Sequence, residues 1–238
     1  MISERKLASG FASLWHEVTP MADTYWRTQN LYTTHFARPI ENIVNPQLRA
    51  FTSELAFETF FQQRDNSFVS RQGARALAIT CAPRVVTYIS RFADGIVPAV
   101  ASEEEAAIEE ALTLLNRLTM YFGEVEARKP LTIRPSFPGC GIVNDCQGDV
   151  VAGNTLYEVK AVDRGFRITD LRQLIIYAAL GRSSRAFRFE RLGLLNPRTS
   201  QCWVRDVDEI SYAIAGTSGV ELLDAVVEAI SSPSAETQ

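Results

Sequence analysis

Near residue 130 the hydrophobic pattern of this 238-residue chain changes its period. Upstream, apolar residues recur at three- and four-residue steps, the spacing of one helix face. Downstream, short runs rich in Val, Leu, Ile and Thr are separated by Gly, Pro and Asn, which punctuate strands and turns. Burying both kinds of face requires a mixed α/β (α+β) fold.

The upstream pattern predicts several helices. Phe11, Leu14, Trp15, Val18, Met21, Tyr25 and Trp26 mark one over 11–32, with Pro20 as an interruption. Asn45-Pro46 starts another, with Leu48, Phe51, Leu55, Phe57, Phe60 and Phe61. Residues 71–92 surround Pro83, and 84–92 suit strand or helix. Ser102 followed by Glu103, Glu104 and Glu105 is a strong helix opening, since a cap and acids suit the positive end of the helix dipole. Ile108, Leu112, Leu115, Leu118 and Phe122 give that helix its apolar face, and Gly123 is its expected end.

Downstream, strands are expected at 131–137, 147–152 and 156–161. Ala152-Gly153-Asn154-Thr155 joins the last two as a hairpin. A helix over 170–180 is capped by Thr169 and stopped by Gly181. A strand over 187–195, a short edge strand over 202–207, helices over 208–214 and 220–230, and a tail from Ser231 complete the chain. Three regions follow: a helical one over 1–100 that can act as an interaction module, a core over 101–232, and a disordered tail over 233–238.

Strand alternation puts Leu156, Glu158 and Lys160 on one side, and Tyr157, Val159 and Ala161 on the other. A hairpin turning at 153–154 brings Asp149 opposite Glu158. Two carboxylates ~4 Å apart repel by about 4 kcal/mol at an effective dielectric of ~20. A divalent cation removes that penalty, and oxygen ligands with retained waters suit Mg2+ (or Mn2+). Such an ion acidifies water and stabilises charge on a phosphoryl oxygen. Lys160 stands out in composition, because only Lys6, Lys129 and Lys160 among the 24 basic residues are not arginine. Lysine can be tuned to release a proton near neutral pH, and arginine cannot.

The net charge of −4 argues against indiscriminate nucleic-acid binding. Lys160, Arg164, Arg167, Arg172, Arg182, Arg185, Arg188 and Arg191 nevertheless face only Asp163, Asp170 and Glu190 in that stretch. The local charge of +5 would attract a phosphate backbone if those residues share a face. The alternative is a solvated charged surface.

Asp149, then Glu158-x-Lys160 after about nine residues of hairpin, resembles the PD-(D/E)XK nuclease superfamily. Gly148 stands where the superfamily's name has proline, a position where many members vary. Gln173 and Tyr177, on one face of the following helix, resemble the Q-x-x-x-Y element of RecB-type members. The resemblance covers roughly residues 103–210. It implies a restriction-endonuclease-like mixed sheet flanked by helices, in the order helix, three strands, helix, strand. It also implies that Asp149 and Glu158 bind the metal and that Lys160 assists catalysis. Gln173, beside Tyr177, would position the site or the nucleic-acid backbone. Many members place a further acid on the first core helix; Glu104, Glu105, Glu109 and Glu110, or the earlier Glu54 and Glu58, are the candidates. An iron–sulfur cluster of the kind some members carry needs closely spaced cysteines after the catalytic strand, where this chain has only Cys202.

The expected activity is a magnesium-dependent deoxyribonuclease serving DNA repair, restriction or anti-phage defence. The alternatives are a non-catalytic DNA-binding or scaffold subunit, and an RNA-cleaving member. No DNA-reading module is recognisable, so a partner such as an ATPase or helicase, or a homodimer, would supply selectivity. The aromatic stripe with Trp15, Tyr25 and Trp26 is either a core-packing face or the docking surface for a partner or second copy. Cys81, Cys140, Cys146 and Cys202 lack tight pairing, which suggests free thiols; Cys140 and Cys146 are at most half a zinc site. No apolar run approaches a membrane span and the N-terminus has no signal-peptide core, so a cytoplasmic protein is expected.

Overall fold

The computed structural model describes residues 1–41, 44–63, 70–91, 97, 101–125 and 129–232. The expected tail over 233–238 lies outside them. The helices are α1 (Glu4–Ser9), α2 (Ala12–Val18), α3 (Ala22–Gln29), α4 (Arg49–Gln63), α5 (Arg71–Ser90), α6 (Ala101–Met120), α7 (Ile168–Ser183), α8 (Val207–Ala215) and α9 (Gly219–Ser231). The strands are β1 (Thr34–His35), β2 (Leu131–Ile133), β3 (Ser136–Phe137), β4 (Cys146–Gln147), β5 (Val150–Ala152), β6 (Thr155–Val159), β7 (Arg191–Asn196) and β8 (Gln201–Asp206).

A mixed sheet runs in the order β1-β8-β7-β6-β5-β2, and β3 pairs with β4 beside it. Strands β2, β5 and β6 are antiparallel neighbours, whereas β7 lies parallel to β6. A parallel pair needs a crossover, and α7 supplies it. Strand β8 returns antiparallel to β7 and is itself covered by the two-residue β1, so it is not the edge.

Alternation along the central strands divides the core into two layers. Val151, Leu156, Leu192, Leu194 and Trp203 face α1–α3 and α7–α9. Val150, Ala152, Tyr157 and Leu195 face α4–α6. With both faces buried, the central strands read as apolar runs rather than clean alternations.

The sheet leaves little room on its second face. A Cβ at Gly193 would overlap the ring of Tyr157, which is fully buried and paired with the Tyr121 hydroxyl. Gly193→Ala is therefore expected to destabilise the fold by about 1–3 kcal/mol through overpacking. Urea unfolding would show this as a lowered midpoint with an unchanged slope.

Several boundaries differ from the expectations. The first helix divides at Thr19–Met21 into α2 and α3, around Pro20. Residues 71–90 form one helix through Pro83. Its buried residues Ala74, Ala78, Cys81, Ala82, Val85 and Ile89 recur at helical spacing, and packing on α4 and α6 outweighs the lost backbone bond. Helix α6 does not end at Gly123 but continues into a π-helical turn over Tyr121–Val125. The expected strand over 131–137 breaks where Arg134 adopts a left-handed φ of 58° before Pro135. The expected strand over 147–152 is likewise shared between β4 and β5. Helix α7 starts before Thr169, because the Asp170 carboxylate accepts the Arg167 N–H at 2.8 Å, and it runs past Gly181. The expected strand over 187–195 begins only at Arg191.

The expected division at residue 100 does not coincide with a packing boundary. Helices α1–α3 join the layer of α7, while α4 and α5 join that of α6. Trp15 and Trp26 are buried, and their indole N–H groups donate to Leu7 O at 2.8 Å and Phe166 O at 3.2 Å. Their place in the core accounts for the aromatic stripe and removes it as an argument for a docking surface. Among the described residues no helix is long and apolar enough to cross a membrane.

Candidate active site

The two-residue turn Gly153–Asn154 fixes the register of β5 against β6. The pairing of Val150 with Tyr157 carries Asp149, one residue before β5, to the position opposite Glu158. Asp149 Oδ2 accepts the Val159 N–H at 2.7 Å. Both acids lie on the face of the sheet that α7 covers.

Glu158 is 2% exposed. Its Oε1 accepts from Lys160 Nζ at 2.7 Å, while its buried Oε2 meets no hydrogen-bond donor among the described residues. Lys160 Nζ also donates to Gln173 Oε1 at 2.9 Å and lies 4.0 Å from Asp170 Oδ1. Gln173 Nε2 donates to Tyr177 OH at 2.8 Å. All five residues singled out in the sequence therefore meet: Asp149 before β5, Glu158 on β6, Lys160 just beyond it, and Gln173 and Tyr177 one helical turn apart on α7.

The pair of acids is electrostatically tense. Burial and then the charge of Asp149 raise the Glu158 carboxyl from 4.5 to about 8, against the pull of Lys160. Burial also raises Asp149, although the Val159 N–H opposes it. Burial pushes the Tyr177 hydroxyl far above its ordinary value, so it remains a neutral donor.

The raised Glu158 value has a consequence for the metal-free protein. A carboxyl that holds its proton more tightly when folded stabilises the fold at low pH. That contribution is complete below about 4.5 and is lost as pH climbs through about 8. Thermal unfolding in chelator should therefore show a melting temperature that falls from pH 5 to pH 8. Glu158→Gln, which cannot ionise, should flatten that fall.

Three contributors come from far away in the sequence. Glu4 Oε1, on α1, accepts from Tyr177 OH at 3.3 Å and from Gln173 Nε2 at 3.5 Å. Arg5 follows it, 73% exposed, with a guanidinium that interacts with the charges of Glu158 and Asp149. Glu54, on α4, interacts electrostatically with Asp149, and burial raises its carboxyl. Arg134 links Glu54 (3.4 Å) to Glu58 (2.6 Å) and stacks over Phe61 at 4.7 Å. Its backbone N–H donates to Asp149 O at 2.8 Å.

Of the acids considered for the first helix, Glu54 acts electrostatically on Asp149. Glu105 and Glu109 turn to Arg75, and Glu110 is buried against Arg198. Glu58 is held by Arg84, Arg134 and Gln62.

The basic residues of 160–191 do not form one track. Arg164 makes a two-pronged contact with Asp170 beside the centre, and Arg172 packs over Trp15 near Asp23. Arg182 grips Asp224, and Arg191 approaches Asp206. Arg185 and Arg188 are exposed beyond the far end of α7, whose 16 residues span roughly 24 Å at 1.5 Å each.

Among the described residues no group of three or more His, Cys, Asp or Glu side chains is arranged to hold a metal, and the cysteines are free thiols. The Asp149–Glu158 pair nonetheless suits a hard divalent ion. It offers a buried carboxylate oxygen without a donor and two acids that repel each other. Magnesium usually takes one or two carboxylates and completes its shell with water and phosphate oxygens. A closed zinc site would need four nitrogen or sulfur ligands, which are not gathered here. No family model and no curated protein matches the chain.

Proposed function

We propose that this protein is a magnesium-dependent nuclease that hydrolyses DNA phosphodiester bonds on a restriction-endonuclease-like core. The single observation that carries the reading is the convergence of Asp149, Glu158 and Lys160, with Lys160 held between Glu158 Oε1 and Gln173 Oε1. The order α6, then β2, β5 and β6, then α7 and the parallel β7 supports the same reading.

Asp149 and Glu158 would hold the ion, with manganese as a substitute. When bound, magnesium supplies an acidified water and a positive charge for the phosphoryl oxygens. The chain's own residues do the rest. The Asp149 carboxylate, fixed by the Val159 N–H, presents its other oxygen at a set angle. Lys160 places an ammonium beside the acids, where it orients the attacking water or stabilises the negative charge of the transition state. Gln173 and Glu158 restrain two of its protons and leave one for that task. Arg5 lies at the exposed rim, where a cation favours the approach of a phosphate backbone.

The test is cleavage of linear, circular and single-stranded DNA, and of RNA, in Mg2+ or Mn2+. The reading expects DNA cleavage by wild type and its loss in Asp149→Ala. Equal cleavage by both proteins would sink the assignment. Cutting only of RNA would move the substrate while keeping the centre. Binding of DNA without cleavage in any metal would favour a scaffold subunit instead. An ATPase or helicase partner, or a second copy of the chain, would bring the protein to its substrate in repair or defence.

A further inference from the structure

Helix α1 is built into the centre from the opposite end of the chain. The backbone of Ile2 is tied to the 142–144 segment by Ile2 N to Ile142 O at 2.7 Å and Asn144 N to Ile2 O at 2.9 Å. Ser3 caps the helix by accepting the Lys6 N–H, and Leu7 and Ala8 are buried against the layer of α7. This anchoring turns Glu4 inward, with a side chain only 13% exposed, and leaves Arg5 outward.

Glu4 ends a directional chain of hydrogen bonds. Lys160 is a pure donor, and the Glu4 carboxylate is a pure acceptor. Between them lie two groups that can reverse, the Gln173 carboxamide and the Tyr177 hydroxyl. Only one arrangement satisfies both ends. The Gln173 carbonyl faces Lys160 at 2.9 Å, its amide donates to Tyr177 OH at 2.8 Å, and that hydroxyl donates to Glu4 at 3.3 Å. The direct contact of Gln173 Nε2 with Glu4 at 3.5 Å favours the same orientation. Without an acceptor at position 4, the hydroxyl and amide could turn over and present an N–H to the Lys160 ammonium, which would repel it.

We infer that Glu4 is a positioning residue of this centre, acting on Lys160 through Tyr177 and Gln173. The inference deepens the proposed nuclease reading and rests on it for its kinetic consequence. Groups of this outer kind typically change activity 10- to 100-fold.

The experiment compares wild type, Glu4→Ala, Glu4→Gln, Gln173→Ala and the Glu4→Ala/Gln173→Ala double variant. The first readout is the NMR signal of the Gln173 side-chain amide, identified by its loss in Gln173→Ala. Its solvent exchange should quicken in Glu4→Ala, which removes an acceptor 3.5 Å from that amide. The second readout is DNA cleavage in saturating Mg2+. Glu4→Ala should lower kcat about 10- to 100-fold with KM unchanged, Glu4→Gln less, and the double variant no more than Gln173→Ala alone. Glu4→Gln keeps the shape of the side chain, so a loss from unfolding of α1 would appear in Glu4→Ala melting but not in the glutamine variant. Wild-type amide exchange in both Glu4 variants would overturn the inference, whether or not the protein cleaves DNA. So would cleavage losses that add fully in the double variant. A wild-type protein that cuts nothing, yet shows the amide effect, would overturn the nuclease reading and leave the positioning network supported.

Discussion

Lys160→Ala is expected to reduce DNA cleavage by about 10²–10³-fold or more, the loss typical of removing one preorganised charged donor. The fold should survive that change. Lys160 Nζ is the donor to Glu158 Oε1, so its removal leaves a buried carboxylate without a partner. Burial and the charge of Asp149 raise the Glu158 carboxyl to about 8, however, and loss of the neighbouring cation raises it further. The variant can therefore keep that carboxyl neutral at pH 7 and leave no unpaired buried charge. Lys160→Arg is not expected to restore cleavage. A planar guanidinium cannot occupy the position of a compact ammonium between Glu158 and Gln173. Single-turnover rates beside thermal melts would separate the two effects: a large kinetic loss with a small shift in melting temperature.

Glu110→Ala is expected to have the largest effect on stability, at about 3–5 kcal/mol, because it takes from a buried guanidinium its closest acid and leaves the part-exposed Asp163 at 3.9 Å. Arg198 and Glu110 are 1% and 0% exposed and lie 2.7 Å apart. Glu110 also accepts from the Val44 N–H at 3.2 Å and from the Thr52 hydroxyl at 3.3 Å. This one carboxylate thus joins α6 to α4, to the connection before it, and to the β7–β8 turn. Replacing both charges together, as Glu110→Leu with Arg198→Met, should recover most of the loss, since the desolvation cost disappears with the pair. Urea unfolding of the single and double variants measures the difference. The effect should reach the active centre, because the same turn holds the segment after Lys160. Asn196 Nδ2 donates to Val162 O at 2.7 Å, and Ser53 on α4 donates to Ala161 O at 3.1 Å.

What the sequence made legible was local. Asp149, Glu158 and Lys160 lie on one hairpin, whose turn and alternation set which side chains share a face. Gln173 and Tyr177 follow on the next helix at a spacing that fixes their relation. Glu4 and Glu54 come from 169 and 95 residues away from Gln173 and Asp149, and no periodicity links such positions. Arg134 was hidden for another reason. Its left-handed φ breaks what reads as one strand, and only the fold brings its side chain to Glu54 and Glu58. Pro83 obscured α5, because the packing that overrides a proline is tertiary. The aromatic residues near the N-terminus carried two readings, core or docking face, and burial of Trp15 and Trp26 decides for the core. The basic excess after Lys160 likewise depended on a shared face. Pairing with Asp23, Asp170, Asp206 and Asp224 disperses it.

The central claim is that Asp149 and Glu158 share a divalent ion across the β5–β6 hairpin. Calorimetric titration of the metal-free protein with Mn2+ tests it without knowledge of the substrate. Wild type should bind the ion at this centre, more tightly as pH rises toward 8 and Glu158 gives up its proton. Asp149→Asn and Glu158→Gln should each abolish or greatly weaken that binding while the protein stays folded. Undiminished Mn2+ binding in both variants would contradict the account.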